Sequence, residues 1–225
     1  MKPSSSRDPI ASSSPTLLSR LCASGLLLLL ACAPLHLAAT TVTPPAFEDL
    51  VNKSEYIVRT VVKSITCERR EGGNGRQLIY TFVEFEVREV VAGTPPQPLV
   101  LRMLGGQVDD EVLEIAGAPK FEVGQEDILF VRGNGRQFTP LTAMMHGRYP
   151  ILKEAATGRA YMARSNRAPL TEVSEVSLPL VEQPVGQAGV RMPAQAAPSA
   201  ALTPAAFVQR IRNTVNPNSR PTHAK

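Results

Sequence analysis

The feature that most limits the possible folds is the alternation of apolar and charged residues at positions 83–88, within the run 78–91. In an extended chain Val83 and Phe85 fall on one side, and Glu84 falls on the other. Successive side chains of a β-strand point to opposite faces, so this period of two predicts a half-buried strand. Residues 56–67 are rich in β-branched side chains, which predicts a second strand before it.

Similar short runs continue along the chain, separated by clusters of Gly, Pro and Asn that form turns. About eight strands joined by short connections favour a mostly β fold. We expect a small antiparallel barrel or a sandwich. The further predicted strands are 98–104, 111–116, 127–132, 137–143, 148–153 and 159–164.

Two short helices are predicted to flank the strands. The first opens at Thr43, followed by two prolines, and closes at residues 52–54. The second covers residues 203–215, because Thr203 can cap a helix whose first position is Pro204. Its apolar residues share one face, so we expect it to dock on the strands or to engage a partner or a membrane surface.

The N-terminus has the order of charges and apolar residues found in signal peptides. Cationic residues up to Arg20 precede an apolar run over residues 21–33, and small residues follow at Ala38 and Ala39. The run is shorter than the roughly 20 residues of a membrane-spanning helix. We therefore predict a signal peptide over residues 1–39 and an exported protein, periplasmic or extracellular.

A second interpretation of the same segment is lipidation. Residues 29–32 resemble a bacterial lipobox, in which Cys32 would become the acylated first residue of a lipoprotein. If cleavage follows Ala39 instead, Cys67 is the one cysteine left, and it cannot form an intrachain disulfide. The mature domain would then be stabilised by its apolar core.

The composition divides the remainder of the chain into segments. Residues 171–225 contain 7 Pro, as many as the 125 residues before them, 46–170. Within this part of the chain, residues 183–201 consist mostly of Pro, Ala, Gln and Gly, and a segment so poor in large apolar side chains cannot offset the entropy cost of ordering. We predict a β-barrel domain over 40–175, a Pro/Ala-rich linker over 176–202, the helix over 203–215 and a disordered tail over 216–225.

The charge distribution argues against nucleic-acid binding. The net charge of +4 comes from the two ends, because residues 46–170 contain 16 Lys or Arg and 16 Asp or Glu. Tyr80, Phe82 and Phe138 could offer stacking surfaces for bases, but a neutral domain supplies no electrostatic groove for the phosphate backbone.

Few residues are suited to catalysis. His146 is the one histidine within the predicted domain, and together with Cys67 it could form a nucleophile and base pair. The two residues alone do not supply a zinc ligand set, and the sequence has no Gly-x-Ser-x-Gly, His-Glu-x-x-His or P-loop motif. We expect no catalytic residues, no metal and no cofactor.

Two acidic clusters are alternatives to that expectation. Close carboxylates could bind Ca²⁺ or act as a paired acid and base in glycoside cleavage. Neither cluster has the alternating Asp-x-Asp-x-Asp-Gly loop, so we interpret both as solvated turns. The clusters are Asp109, Asp110, Glu111 and Glu114, and Glu122, Glu126 and Asp127.

The succession of elements carries a resemblance. A short helix is followed by strands over 56–62 and 80–93, then by 99–106 and by 121–131 with its Phe-x-x-Gly-x-Glu-x-Ile-Leu-Phe-Val pattern. This order resembles uncharacterised exported bacterial proteins with an OB-like barrel, over residues 46 to about 165. The resemblance implies a fold and export but no activity.

A more distant similarity, to the OB-like domain of tissue metalloproteinase inhibitors, lies in the barrel alone. Those inhibitors resemble a wedge whose free N-terminal cysteine binds the zinc of the metalloproteinase. A mature chain that starts at Thr40 lacks this cysteine.

Together these patterns predict an exported, non-catalytic binding module of the cell envelope. Its expected partner is a protein or an envelope component. Contact with a membrane would require acylation of Cys32 or attachment of the C-terminal helix. The alternatives are an inhibitor of an exported protease and an enzyme of unknown class.

Overall fold

Two long strands form the centre of the computed structural model, which describes residues 43–72, 75–180 and 196–216. β1 (Tyr56–Glu71) and β2 (Gln77–Gly93) pair antiparallel along their whole length. The register shifts three times in the first half of β1, at irregularities of the β-bulge type. Bulges bend a strand and increase its twist, which lets one long hairpin contribute to two apolar clusters.

The other strands extend this hairpin on both sides. The main sheet has six antiparallel strands in the order β3-β2-β1-β6-β7-β8, and β4 and β5 form a separate two-stranded sheet. The mostly β, antiparallel prediction is confirmed. Within the described residues β3 and β8 are the two edges of the main sheet, so the sheet is not closed into a barrel, and an open barrel or a sandwich is compatible with it. The strands are β3 (Leu99–Leu104), β4 (Gly106–Val108), β5 (Glu111–Leu113), β6 (Glu126–Val131), β7 (Arg148–Lys153) and β8 (Ala160–Met162).

The central strands are buried on both faces. Ile128 and Phe130 of β6 point into one apolar cluster, and Leu129 and Val131 point into another. A strand buried on both sides shows continuous apolar residues instead of alternation. This is why residues 127–131 are all buried, whereas β2 alternates.

Both predicted helices cover one of these faces. α1 (Phe47–Asn52) and α2 (Pro204–Val215) contribute to the cluster around Phe130. The ring of Phe207 lies 5.1 Å from that of Tyr149 and 6.2 Å from that of Phe130, between ring centroids. Thr203 caps α2 as predicted, since its hydroxyl accepts a hydrogen bond from the amide of Ala206 at 3.2 Å.

Two local predictions were wrong. Residues 137–143 form a loop with a single bridge from Leu141 to Val131 instead of a strand. Pro140 has no amide hydrogen for a strand ladder, and Ala143 then takes a left-handed φ of 55°. Gly106, which lies in one of the glycine clusters predicted to form turns between strands 98–104 and 111–116, opens strand β4 with a φ of 133° that only glycine adopts readily, so the chain leaves the main sheet there.

The described ends of the predicted linker 176–202 are packed against the domain. Val176 is fully buried, and the amide of Leu202 donates to the carbonyl of Leu170 at 2.8 Å. The carbonyl of Leu202 accepts from the amide of Met162, so this segment covers the edge strand β8. Residues 181–195 of the linker, the predicted signal peptide 1–39 with Cys32, and residues 217–225 lie outside the described residues.

The other edge is blocked by the loop that follows β6. The Asn134 carbonyl oxygen accepts from the amide of Arg102 at 3.1 Å, and its Nδ2 donates to the carbonyl of Val100 at 2.7 Å. The amide of Leu104 donates to the carbonyl of Phe138 at 2.7 Å, so this loop occupies hydrogen-bonding groups that β3 would otherwise offer to another strand.

Candidate functional site

A cavity of about 850 Å³ opens beside β7. We call it the Arg148 pocket. Its walls are the loop 114–120, the start of β7, and the turn 165–167. The residues that line it and are used below are Glu114, Ile115, Ala116, Pro119, Lys120, Glu122, Met145, Arg148, Ser165, Arg167 and Leu180.

Arg148 is held on three sides. Its Nε donates to Asp127 Oδ1 at 2.9 Å, and the two side chains are only 6% and 0% exposed. Nη1 donates to the carbonyl of Lys120, and the guanidinium carbon lies 4.5 Å from the ring centroid of Phe121. The pairing of β6 with β7 brings the carboxylate and the guanidinium together, because Leu129 is opposite Arg148 and Asp127 opposite Pro150.

Only one of the two carboxylate oxygens of Asp127 accepts a hydrogen bond in the described structure. Its second oxygen, Oδ2, is buried without a hydrogen-bond partner in the described structure. Burial raises the pKa of Asp127 above its ordinary value, and the charge of Arg148 opposes this shift. Burying a carboxylate oxygen without a hydrogen bond costs free energy of folding.

The rim of the pocket carries charges of both signs. Lys120 pairs with Glu114 at 3.0 Å within the loop 114–120, and both side chains are mostly exposed. Arg167 is also exposed and lies close enough to Asp127 to lower the pKa of that carboxyl. It occupies a left-handed backbone conformation, with φ of 66°, at the tip of the turn.

The backbone at the inner end of the pocket is tightly constrained. Ala143 and Met144 have consecutive positive φ angles of 55° and 57°. The Ser165 hydroxyl donates to the carbonyls of Met145 and Arg148, which ties the turn to β7. Gly147 is required by a close approach, since a Cβ there would lie 2.6 Å from the carbonyl oxygen of Thr142. Non-glycine residues in this region store strain, which recurs at functional sites.

His146 lies behind this wall and does not line the pocket. It is 4% exposed, within a short 3-10 helix, Met144–Gly147. Burial lowers the pKa of His146 to about 4, and the positive charge of Arg164 adds to the shift. The imidazole is therefore neutral at pH 7.

Cys67 lines a second, smaller cavity of about 410 Å³, which we call the Cys67 groove. Its Sγ lies 3.4 Å from Thr81 Oγ1, and the Thr81 hydroxyl donates to the carbonyl of Gly105 at 2.6 Å. His146 does not line this groove either. The structure does not bring the predicted nucleophile and base together, and no hydrogen bond between described residues joins them.

The acidic clusters are distributed among cations. Arg69 binds Asp109 at 3.0 Å and Glu111 at 3.2 Å. Arg59 binds Glu126 at 2.6 Å. Across residues 43–72, 75–180 and 196–216, no three His, Cys, Asp or Glu side chains are grouped in a way that could hold a metal ion. Five of the seven carboxylates are ion-pair partners, since Glu114 binds Lys120 and Asp127 binds Arg148. The interpretation as solvated turns is wrong for Asp127, which is fully buried in β6.

The three aromatic candidates lie on or beside β2 and β3. The guanidinium of Arg102 covers Tyr80 at 5.1 Å from the ring centroid, and that of Arg70 covers Phe82 at 5.5 Å. Phe138 is 54% exposed. Two of the three rings are thus already stacked against cations of the same chain.

The sequence analysis did not single out Arg148, Ser165 or Arg167. A signal was present for Arg148, since it opens an otherwise apolar strand, just as Asp127 begins the apolar run of β6. Two opposite charges on neighbouring buried strands indicate an internal ion pair. The pairing of β6 with β7 was needed to use that signal, and a single sequence does not supply it.

No known family model matches this chain, and a search of curated proteins finds no similar one. In the described parts of the chain, none of the helices has the length and apolar character needed to cross a bilayer.

Proposed function

We propose that the protein is an exported, non-catalytic binding module of the cell envelope and that the Arg148 pocket is its binding site. The observation that carries this proposal is a guanidinium fixed by three contacts at the wall of a large cavity, with no nucleophile and base pair beside it among the described residues. The export part rests on the sequence pattern of residues 1–39.

The energetics of the buried pair support a role in binding. Taking two charges out of water costs several kcal/mol per ion, and well-packed apolar residues at such positions often give equal or greater stability. The pair of Asp127 and Arg148 is therefore a poor device for stabilising the fold. It does hold one cation in a fixed position at the pocket, as recognition of a polar ligand requires.

The chemistry of Ser165 supports binding rather than catalysis. It is the hydroxyl in the pocket, and a serine nucleophile needs a base that takes its proton. Here the proton is donated to the backbone carbonyls of Met145 and Arg148. The hydroxyl thus braces the wall of the pocket.

The test uses protein recovered separately from the envelope and the cytosolic fractions of the same cells, and its N-terminal residue is first read by mass spectrometry. A chain that begins near Thr40 or at an acylated Cys32 supports export, and an intact Met1 on a cytosolic protein contradicts it. The isolated protein is then immobilised and exposed to envelope extract. The same capture is made with Ala116→Trp, which places a large side chain at the pocket wall, and with Ala156→Trp as a matched exposed control.

We expect the wild-type protein and Ala156→Trp to retain the same species and Ala116→Trp to lose it. Circular dichroism checks that all three proteins are folded equally. Retention that is equal in the three proteins would place the binding site elsewhere and reject the Arg148 pocket.

A further inference from the structure

We infer that the Arg148 pocket recognises a single carboxylate group presented by a peptide segment of a partner protein. The inference rests on the proposed function of this pocket. The pocket combines hydrogen-bond donors, balanced charges of both signs and apolar walls, and each feature narrows the class of ligand.

The first feature is the set of hydrogen-bond donors that Arg148 and Arg167 offer to a ligand. In the described structure only Nε and Nη1 of Arg148 have hydrogen-bond partners, which leaves Nη2 for a ligand. Arg167 adds a second, exposed guanidinium at the same pocket. A guanidinium has a planar fork of donors that matches the two oxygens of a carboxylate.

The charges limit the size of the ligand charge. Arg148 and Arg167 are balanced by the buried Asp127 and by Glu122 on the lining, so these four charges sum to zero. The pair of Lys120 and Glu114 is also neutral in sum. A dianion such as phosphate would add two uncompensated negative charges, and a monoanion adds only one. A monoanion fits this balance better.

The walls indicate what carries the carboxylate. Ile115, Pro119, Met145 and Leu180 provide apolar surface around the charged floor. A cavity of about 850 Å³ is larger than one carboxylate side chain requires. Specific sites typically combine mostly apolar contact with a few placed polar groups, and an acidic residue flanked by apolar neighbours in a peptide matches both parts.

The carboxylate could come from an acidic side chain or from a free C-terminus, and the experiment separates the two sources. Three pools of rhodamine-labelled hexapeptides share apolar residues at the other positions. The first has a central glutamate and an amidated C-terminus. The second has glutamine and an amidated C-terminus. The third has glutamine and a free C-terminal carboxylate.

Binding to the full mature chain is followed by fluorescence polarisation at low and at moderate salt. We expect one of the two carboxylate pools to bind at least about tenfold more tightly than the uncharged pool. Arg167→Gln should remove most of this preference. Arg132→Gln makes the same change of charge at an exposed residue outside the pocket lining and should keep it. Added salt should weaken the preference.

Equal binding of the three pools, absence of binding, or a preference that survives in Arg167→Gln would overturn the inference. Displacement of the glutamate pool by inorganic phosphate at lower concentrations than by acetate would overturn the choice of a carboxylate. The proposed function fails separately, if Ala116→Trp still captures the envelope species. Capture lost in Ala116→Trp but unchanged in Arg167→Gln would reject the carboxylate while keeping the pocket as the binding site.

Discussion

The Arg148 pocket and the Cys67 groove share one loop and differ in what that loop covers. Phe121 connects them, since its ring lies against the guanidinium of Arg148 and edge-on to Phe85 at 5.4 Å, while the residue also lines the groove. On one side the loop covers a buried ion pair. On the other it covers mostly apolar side chains with one thiol and one hydroxyl.

This difference means that the two cavities affect the stability of the fold in different ways. An apolar cavity costs the fold some lost packing, which neighbouring side chains can partly recover by relaxing. A buried charge pair requires both partners, because either one alone is an uncompensated charge in a medium of low polarisability. Changes in the Arg148 pocket should therefore cost more stability, and be more strongly coupled, than changes in the Cys67 groove.

The strongest test of this contrast is a double-mutant cycle across the ion pair. Asp127→Leu alone should lower the free energy of unfolding by about 3–5 kcal/mol, because Arg148 then stays buried without a counter-charge. The double variant Asp127→Leu with Arg148→Met should recover most of this loss, since no buried charge is left. Urea unfolding at pH 7 measures all four corners of the cycle.

The cycle also has an outcome that would contradict the comparison. Losses that simply add in the double variant would mean that the two residues act through packing alone. The ion pair would then not be costly to the fold, and its cost would no longer support a role in binding.

A second, smaller effect concerns pH at the inner wall of the pocket. The pKa of His146 is about 4 in the folded protein, below its ordinary value of 6.5. The unfolded chain therefore takes up the proton first as the pH falls. Stability from this residue is complete above pH 6.5 and is lost progressively between pH 6.5 and 4, by up to about 3 kcal/mol.

The measurement is the difference between the wild-type protein and His146→Gln in urea unfolding at pH 7 and pH 4.5. The raised pKa of Asp127 acts in the opposite direction, gaining stability as the pH falls, but it is common to both proteins and cancels in the difference. The wild-type protein should lose more stability on acidification than the variant. A parallel loss in both would show that the His146 imidazole is not titrating between these pH values.

Local patterns predicted most of the elements of this fold. The alternation in β2, the β-branched run of β1 and the cap at Thr203 each depend on neighbours in the chain, and each prediction agrees with the structure. The predicted strand at 137–143 failed because residue composition favoured an extended chain while Pro140 and the left-handed Ala143 prevented a ladder. Helices and strands could be predicted from the sequence where local preference and tertiary context agree.

The candidate site could not be read in the same way. Arg148 and Asp127 are 21 positions apart, and Arg167 lies a further 19 positions beyond Arg148. Only the pairing of β6 with β7 brings the first two together, and only the turn after β8 adds the third. Cys67 and His146 were considered as a pair because of their chemistry, but their chemistry does not place them near each other.

The smallest expected effect is the change in stability caused by a substitution in the Cys67 groove. Cys67→Ala should lower the free energy of unfolding by less than about 1 kcal/mol, because the thiol is half-buried, already borders a cavity and makes one weak contact with Thr81. Leu101→Ala is the control, since Leu101 is fully buried in the neighbouring cluster and its truncation should cost about 2–5 kcal/mol. Both variants are measured by urea unfolding at pH 7. A cost for Cys67→Ala as large as that of the control would mean that the groove is packed as tightly as the core, and the contrast between the two cavities would then rest on the ion pair alone.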